Sequence, residues 1–358
     1  PLTWTASIRR YPRGVPPALV IDAQPVGYAP DAIAGFLTPD GKTTHGFPWA
    51  WERFLKYRGM PDSTSGTSAH NGTGLPLTRT HVNFPPNDSR LTILDVEDPD
   101  RRERAEVAAL LRTLGVLYYA RNVMGEDAWS VADDIGYDSP ATVRRMDALV
   151  ARHPELAAFR ELLYRFPPIP YVRESRRVIG VGTLTATSIR RKAPFQPEPR
   201  STAVAIGDYP VDVHGEHEDR DLQVELDLDA PEDLPERWIQ WGYGPFQIPF
   251  ECFIPEVIDG FIPAEKNISQ SRLASGATRL QPVTMLTGQA AGTIAALACR
   301  CDVAPRDVPP LLVQSALLDA GSTLSPVRYA DVPHGTSLWK AVQLASLHGF
   351  LVSDGPEF

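Results

Sequence analysis

The chain has 358 residues, a net charge of −9, 43% hydrophobic and 22% charged residues. This composition excludes a disordered chain and suffices for about two cores. Thirty-five prolines, about twice the usual ~5%, exclude an all-helical bundle, and the acidic balance supplies no overall field for nucleic acid or an anionic membrane.

Residues 1–97 read as strands and long loops. Apolar runs at 18–21 and 91–94 look β-like between turn signals such as Pro39-Asp40-Gly41 and Asn71-Gly72. Trp49 and Trp51 are expected to pack a satellite core. The first strong helix follows Asp100, where Asp100 and Glu103 fit a capping box. Its apolar face is Val107, Leu110, Leu111, Leu114 and Leu117. A second helix opens at Ser139-Pro140, an N-cap followed by proline, and buries Met146, Leu149 and Val150. Beyond His153-Pro154 the pattern continues through Leu156, Phe159, Leu162 and Leu163.

From 167 to 260 the chain reads β again, with strands expected at 177–180, 202–206 and 222–226. Ten acidic residues between His214 and Arg237 read as a solvated hairpin tip. Helices are expected at 283–298, 308–320 and 338–348, the last closed by Gly349. Cys252, Cys299 and Cys301 are too few for a disulfide framework or a four-thiolate cluster. They read as thiols of the core. No stretch reads as a transmembrane segment; 283–298 carries too many polar residues. No signal peptide is visible, and no metal site is read, since His214 and His217 lack a third ligand.

The stretch 260–298 carries the chemistry. A polar loop with Ser269, Ser271 and Ser275 leads through Arg279 and Gln281 into a helix where Gly288, Ala291, Gly292, Ala295 and Ala296 leave one face almost bare. Three readings stay open: tight packing on another element, a membrane helix contact, or a cofactor at the helix N-terminus, where free N–H groups stabilise negative charge. In 170–180 Arg173, Ser175 and Arg177 share one strand face, so an arginine there suits a substrate carboxylate. Tyr209, Asp212 and His214 follow, with Asp212 and His214 on one face as an orienter and proton shuttle would be.

The string NISQSRLASGATRLQPVTMLTGQAAGTIAAL resembles the C-terminal flavin-binding signature of FAD-dependent oxidoreductases. These belong to the glutathione-reductase-like superfamily, in the group related to the flavin subunit of heterodisulfide reductase. PYVRESRRVIG and AIGDYPVDVHG resemble two further blocks of that family, and NDS at 87–89 a fourth. The resemblance spans roughly 87–324. It implies an α/β fold: the C-terminal portion of a Rossmann-like FAD-binding domain (251–324) plus an inserted α+β substrate domain (within 1–250). It further implies FAD as cofactor, a small-molecule organic substrate, and hydride or electron transfer between the two. The family's Gly-rich strand–turn–helix has no counterpart here, and Gly180-Val181-Gly182 matches it only in part. The chain is therefore expected to be an N-terminally truncated fragment, inactive alone.

The same resemblance assigns cofactor contacts to Ala264, Glu265, Lys266, Asn267, Ser269 and Ser271 on the loop, to Arg279 and Gln281 before the helix, and to Gly288, Gln289, Ala290, Ala291 and Gly292 within it. Amides around 288–291 would face the flavin pyrimidine edge. Catalytic roles fall to His214, Arg173, Arg177, Asp212 and Tyr209. The tail 325–358 resembles part of a surface-layer homology module. That implies a bacterial, exported, cell-envelope-associated parent, with a cytoplasmic location left open. The alternative to an enzyme is a non-catalytic β-rich surface or carbohydrate-associated module.

Overall fold

The computed structural model describes residues 2–37, 51, 55, 78–83, 85–189, 200–212 and 245–351. The chain divides into two compact units, Pro1–Arg173 and Glu174–Phe358.

Unit 1 holds two small antiparallel sheets. In the first, β1 (Leu2–Thr3) lies between β4 (Asp88–Ser89) and β6 (Tyr171–Val172), with Leu2 opposite both Ser89 and Val172. In the second, β2 (Ala6–Arg10) lies between β3 (Arg79–Val82) and β5 (Trp129–Val131). Helix α1 (Pro30–Leu37) precedes β3, and α2 (Ile93–Glu97) and α3 (Pro99–Asn122) follow β4. Helix α3 crosses the first sheet and packs on β1 and β4. Its buried face includes Val107, Leu110, Leu114 and Leu117, as the periodicity predicts. Helices α4 (Pro140–Arg152) and α5 (Arg160–Leu163) add Met146, Leu149, Leu162 and Leu163 to the same core. Ser139 caps α4, its hydroxyl accepting the Thr142 N–H at 3.3 Å.

The start of α3 differs from expectation. Asp98 is its N-cap, accepting the N–H groups of Asp100 and Arg101. Glu103 instead bonds Arg152 and His153, tying α3 to α4. The capping box belongs to α2, where Thr92 and Asp95 satisfy each other's backbone. Residues 91–94 therefore enter a helix, and 17–19 form a 3-10 turn, where strands were expected. Trp51 is buried edge-on to Trp129 within the main core of unit 1, not in a satellite; Trp49 lies outside the described residues.

Unit 2 is a helical layer on a short antiparallel pair, β7 (Ala203–Gly207) and β8 (Phe246–Pro249). Helix α6 (Ala186–Ile189) precedes β7, and α7 (Arg272–Thr278), α8 (Gln281–Cys301), α9 (Pro310–Asp319) and α10 (Ser337–Leu347) follow β8. Helices α8 and α9 pack on β7 and on each other. The described strand pairs of both units are antiparallel, so the parallel sheet of a Rossmann-like half is not formed among the described residues. Residues 177–180 form no strand; only the bridge Gly180–Pro255 marks them. The expected strand at 222–226 and the acidic 214–237 stretch lie outside the described residues.

The tail is part of this core. Trp339, Val342 and Leu347 are buried with Leu317 and Leu318 of α9. Gln343 binds the backbone four times: its Oε1 accepts Leu324 and Ser325 N–H, and its Nε2 donates to Ser325 O and Val327 O. Cys252 is buried, and burial pushes its thiol up to about 12. Cys299 and Cys301 are exposed at the end of α8, against the expectation of core thiols. Among the described residues one helix, α8, is long and apolar enough by length and composition to cross a membrane. Its Val283, Thr287, Ala290 and Ile294 lie buried within the unit's own core.

Candidate functional site

The site is built inside unit 2 where α7 meets α8. Helix α7 is capped by Ser271, whose hydroxyl accepts the Ala274 N–H at 3.1 Å. Helix α8 is not capped. Its N-cap position is Leu280, and no side chain accepts from its first turn. The N–H groups of Gln281 and Val283 lie ahead of the intrahelical ladder, and Pro282 has none to offer. A long helix thus opens with unsatisfied donors at the positive end of its dipole.

Arg279 sits in the link between these helices and is 3% exposed. Its Nη2 donates to Asp212 O and lies 3.4 Å from the Asp212 carboxylate. Its Nε and Nη1 are buried with no hydrogen-bond partner. An unsatisfied buried donor costs about 1–3 kcal/mol, more when charged, unless something answers it. Lys266 stands on a 3-10 turn, Glu265–Asn267, that packs against α8. Burial lowers the pKa of its ammonium below the usual lysine range; the Arg279 charge adds to this and Glu265 opposes it. Glu265 has a φ of 55°, the left-handed region that non-glycine residues seldom occupy.

Hydrogen bonds hold this turn in place. Gln270 donates to Lys266 O at 3.3 Å and accepts from the Thr278 hydroxyl. Asn267 donates to Arg176 O at 2.7 Å and to Ser175 Oγ at 3.3 Å, while its carbonyl accepts the Val178 N–H. Ser269 accepts the Gly180 N–H at 3.0 Å and bonds the Thr183 hydroxyl at 2.9 Å. Here glycine is required: a Cβ on Gly180 would lie 2.6 Å from Ser269 Cβ, and one on Gly182 would lie 2.8 Å from Glu251 Cβ. The Gly180-Val181-Gly182 string is therefore a close backbone crossing.

The residues read from the sequence separate into groups. Arg279 and Asp212 pair beside the start of α8, where Gln281 opens the helix, and the turn that bears Lys266 packs against that helix. Asn267, Ser269 and Ser271 are engaged with the backbone of their own unit. Ala264 packs on the core and its carbonyl accepts the Asn267 N–H. Ala290 and Ala291 face the core, and Gln289 accepts from Ser322 at 2.8 Å. Gly288 and Gly292 do form an open face, since a Cβ at either would meet nothing within 4 Å. The amides at 288–291 lie inside α8, in its second and third turns. The donors ahead of the ladder are therefore at 281 and 283, while 288–291 lie within the helix.

Arg173 belongs to the other unit. It is the buried partner of Asp88 within unit 1, at 3.1 Å through Nε and 2.8 Å through Nη2, and it donates to Asn83 at 2.6 Å. It ties the end of β6 to β4. Arg177 and Tyr209 are half-buried in unit 2; Glu174 faces Arg272 at 3.3 Å. His214 lies outside the described residues. Sequence reasoning missed Gln270 and Thr278, whose mutual bond sets the loop against α7; only their polarity within an apolar stretch signalled them.

The FAD dependent oxidoreductase family model matches residues 39–317 of this chain. No curated protein and no solved structure matches it.

Proposed function

We propose, from the premise that this chain belongs to the FAD-dependent oxidoreductase family and that FAD is its cofactor, that the uncapped start of α8 receives the electron-rich edge of the flavin. The observation that carries this reading is the pairing of that helix end with a buried arginine whose donors lack partners. Both favour negative charge at one place, and an anionic group answers both. The residues fit such a group. The open strip at Gly288 and Gly292 further leaves room along the same helix.

When bound, FAD supplies the hydride- or electron-accepting centre. The chain's own part is electrostatic. The Gln281 and Val283 N–H groups are fixed by the helix, so they need no rearrangement as charge accumulates. Arg279 adds a full positive charge held by Asp212. Lys266, on a turn braced by Gln270 and Asn267, adds a second. The reaction supported is transfer of hydride or electrons from a small organic substrate.

The test is a substitution that separates helix from site. Leu280→Asp supplies the missing cap and should stabilise the chain by about 0.5–2 kcal/mol. The same carboxylate opposes an anionic ligand, so FAD affinity should fall at least tenfold, read by flavin fluorescence quenching. Unchanged FAD affinity in a stabilised Leu280→Asp chain refutes this placement.

A further inference from the structure

We infer that Gln270 is a positioning residue of the flavin site: its one buried side-chain amide sets both the link that bears Arg279 and the turn Glu265–Asn267 that packs against α8. The inference rests on the flavin reading above and names what keeps the donors of that site in place.

Gln270 stands just ahead of Ser271, the cap of α7, and is 2% exposed. Thr278 closes the same helix, is 1% exposed and directly precedes Arg279. The Thr278 hydroxyl donates to Gln270 Oε1. On the other side Gln270 Nε2 donates to the Lys266 carbonyl at 3.3 Å. The direction of both bonds is forced. A backbone carbonyl only accepts, so the amide turns its NH2 toward Lys266. Its oxygen then faces Thr278, and the hydroxyl, which is able to donate or accept, has to donate.

Neither near relative of this side chain does the same. A carboxylate would set oxygen against the Lys266 oxygen, and an apolar chain would answer neither partner. The backbone that carries the amide is itself anchored: Ser271 N–H donates to Leu184 O at 2.8 Å, and Leu184 N–H to Ser269 O at 3.0 Å. Two segments are thus set from one fixed point. Each has a backbone bond that reports on it. Arg279 N–H donates to Ser275 O, and Asn267 N–H to Ala264 O, both at 3.1 Å. Donors aimed at a developing charge act through fixed position. A loosened link displaces the Arg279 guanidinium and the Gln281 and Val283 N–H groups together, which weakens the hold on reduced, electron-rich flavin more than on oxidised flavin.

Gln270→Met, Thr278→Val and the hydroxyl-keeping Thr278→Ser, each in the full chain, test this with and without FAD. Without FAD, amide exchange is followed by NMR at Arg279 and Asn267, relative to the β7 amides of the same unit. Gln270→Met and Thr278→Val should each speed exchange at both positions at least tenfold, and Thr278→Ser should keep the parent rates. With FAD, Gln270→Met should weaken reduced flavin tenfold more than oxidised flavin, a fall of about 30 mV in the two-electron potential. Adding Thr278→Val should lower it no further, since both changes break one strut. Thr278→Val that speeds exchange at Arg279 but not at Asn267 overturns the inference. So does faster exchange spread evenly over unit 2, or an unchanged potential in Gln270→Met with FAD bound. If Gln270→Met does not fold, Thr278→Val carries both readouts. A parent chain with no FAD affinity removes the flavin reading; coupled exchange at Arg279 and Asn267 then upholds the strut, and uncoupled exchange overturns it.

Discussion

Arg173 and Asp88 keep 5% and 8% of their side chains exposed and meet at 2.8 Å. The Thr3 hydroxyl also bonds this carboxylate, and Arg112 donates to the Asp88 carbonyl at 2.6 Å. Removing the arginine leaves a buried carboxylate without its cation. Arg173→Met should therefore destabilise unit 1 by about 3–5 kcal/mol, measured by calorimetric unfolding. The partly compensating double change Arg173→Met with Asp88→Asn should cost less than the sum of the single changes. A variant with unaltered stability but abolished FAD-dependent turnover would return Arg173 to the substrate site. The charged string at 173–177 is legible as chemistry because arginines there are conspicuous. Its partner stands 85 positions away, and local spacing contains nothing that names it. The NDS string at 87–89 stands out too, but as a separate block rather than as the other half of this ion pair.

At the scale of elements, two glycine sites make opposite predictions. At Gly180 three segments cross, and a methyl group would meet Ser269 Cβ at 2.6 Å. Gly180→Ala should cost about 1–3 kcal/mol through overpacking. At Gly292 nothing lies within 4 Å, and the residue is mid-helix. Gly292→Ala should raise stability by about 0.5–1 kcal/mol, and it should lower FAD affinity if the cofactor lies along that strip. Thermal unfolding and FAD titration of the two variants check both halves. Equal stability changes in the two variants would show that the crossing at Gly180 is not tight. Helix positions are largely readable: Ser139-Pro140 announces α4, and the small-residue repeat announces α8. The start of α8 is hidden because Leu280-Gln281-Pro282 carries no capping side chain. The stretch at 91–94 misleads because the Thr92/Asp95 box outweighs the β character of a short apolar run.

For the whole molecule, acid sensitivity follows from how unit 1 holds its carboxylates. In unit 1 the Arg152 hydrogen bonds lower Glu103 to about 2. Asp134 is lowered by its bond to Arg79, and Asp147 by its bond to Tyr164. Such groups stabilise the fold fully above their unfolded values and lose that contribution as pH falls toward their folded ones. Between pH ~4.5 and ~2, amide protection in α3 and α4, which Glu103 ties together, should therefore decline as pH falls, after correction for intrinsic exchange rates. Hydrogen exchange resolved by peptide reads this, and protection in α3 and α4 that stays constant over that range would contradict it. The two-unit division itself is not legible. It depends on β1 finding both β4 and β6, a pairing that hydrophobic periodicity does not record.

That pairing has a consequence for synthesis. The strand at Leu2–Thr3 is made about 170 residues before its partner Tyr171–Val172. A nascent chain leaving the ribosome at about 5–20 residues per second holds that first strand unpartnered on one edge for roughly ten to thirty seconds. During that interval a neighbouring polypeptide on the same messenger competes for the open edge, so slower translation of the segment before Tyr171 should increase aggregation of the newborn protein rather than aid its folding.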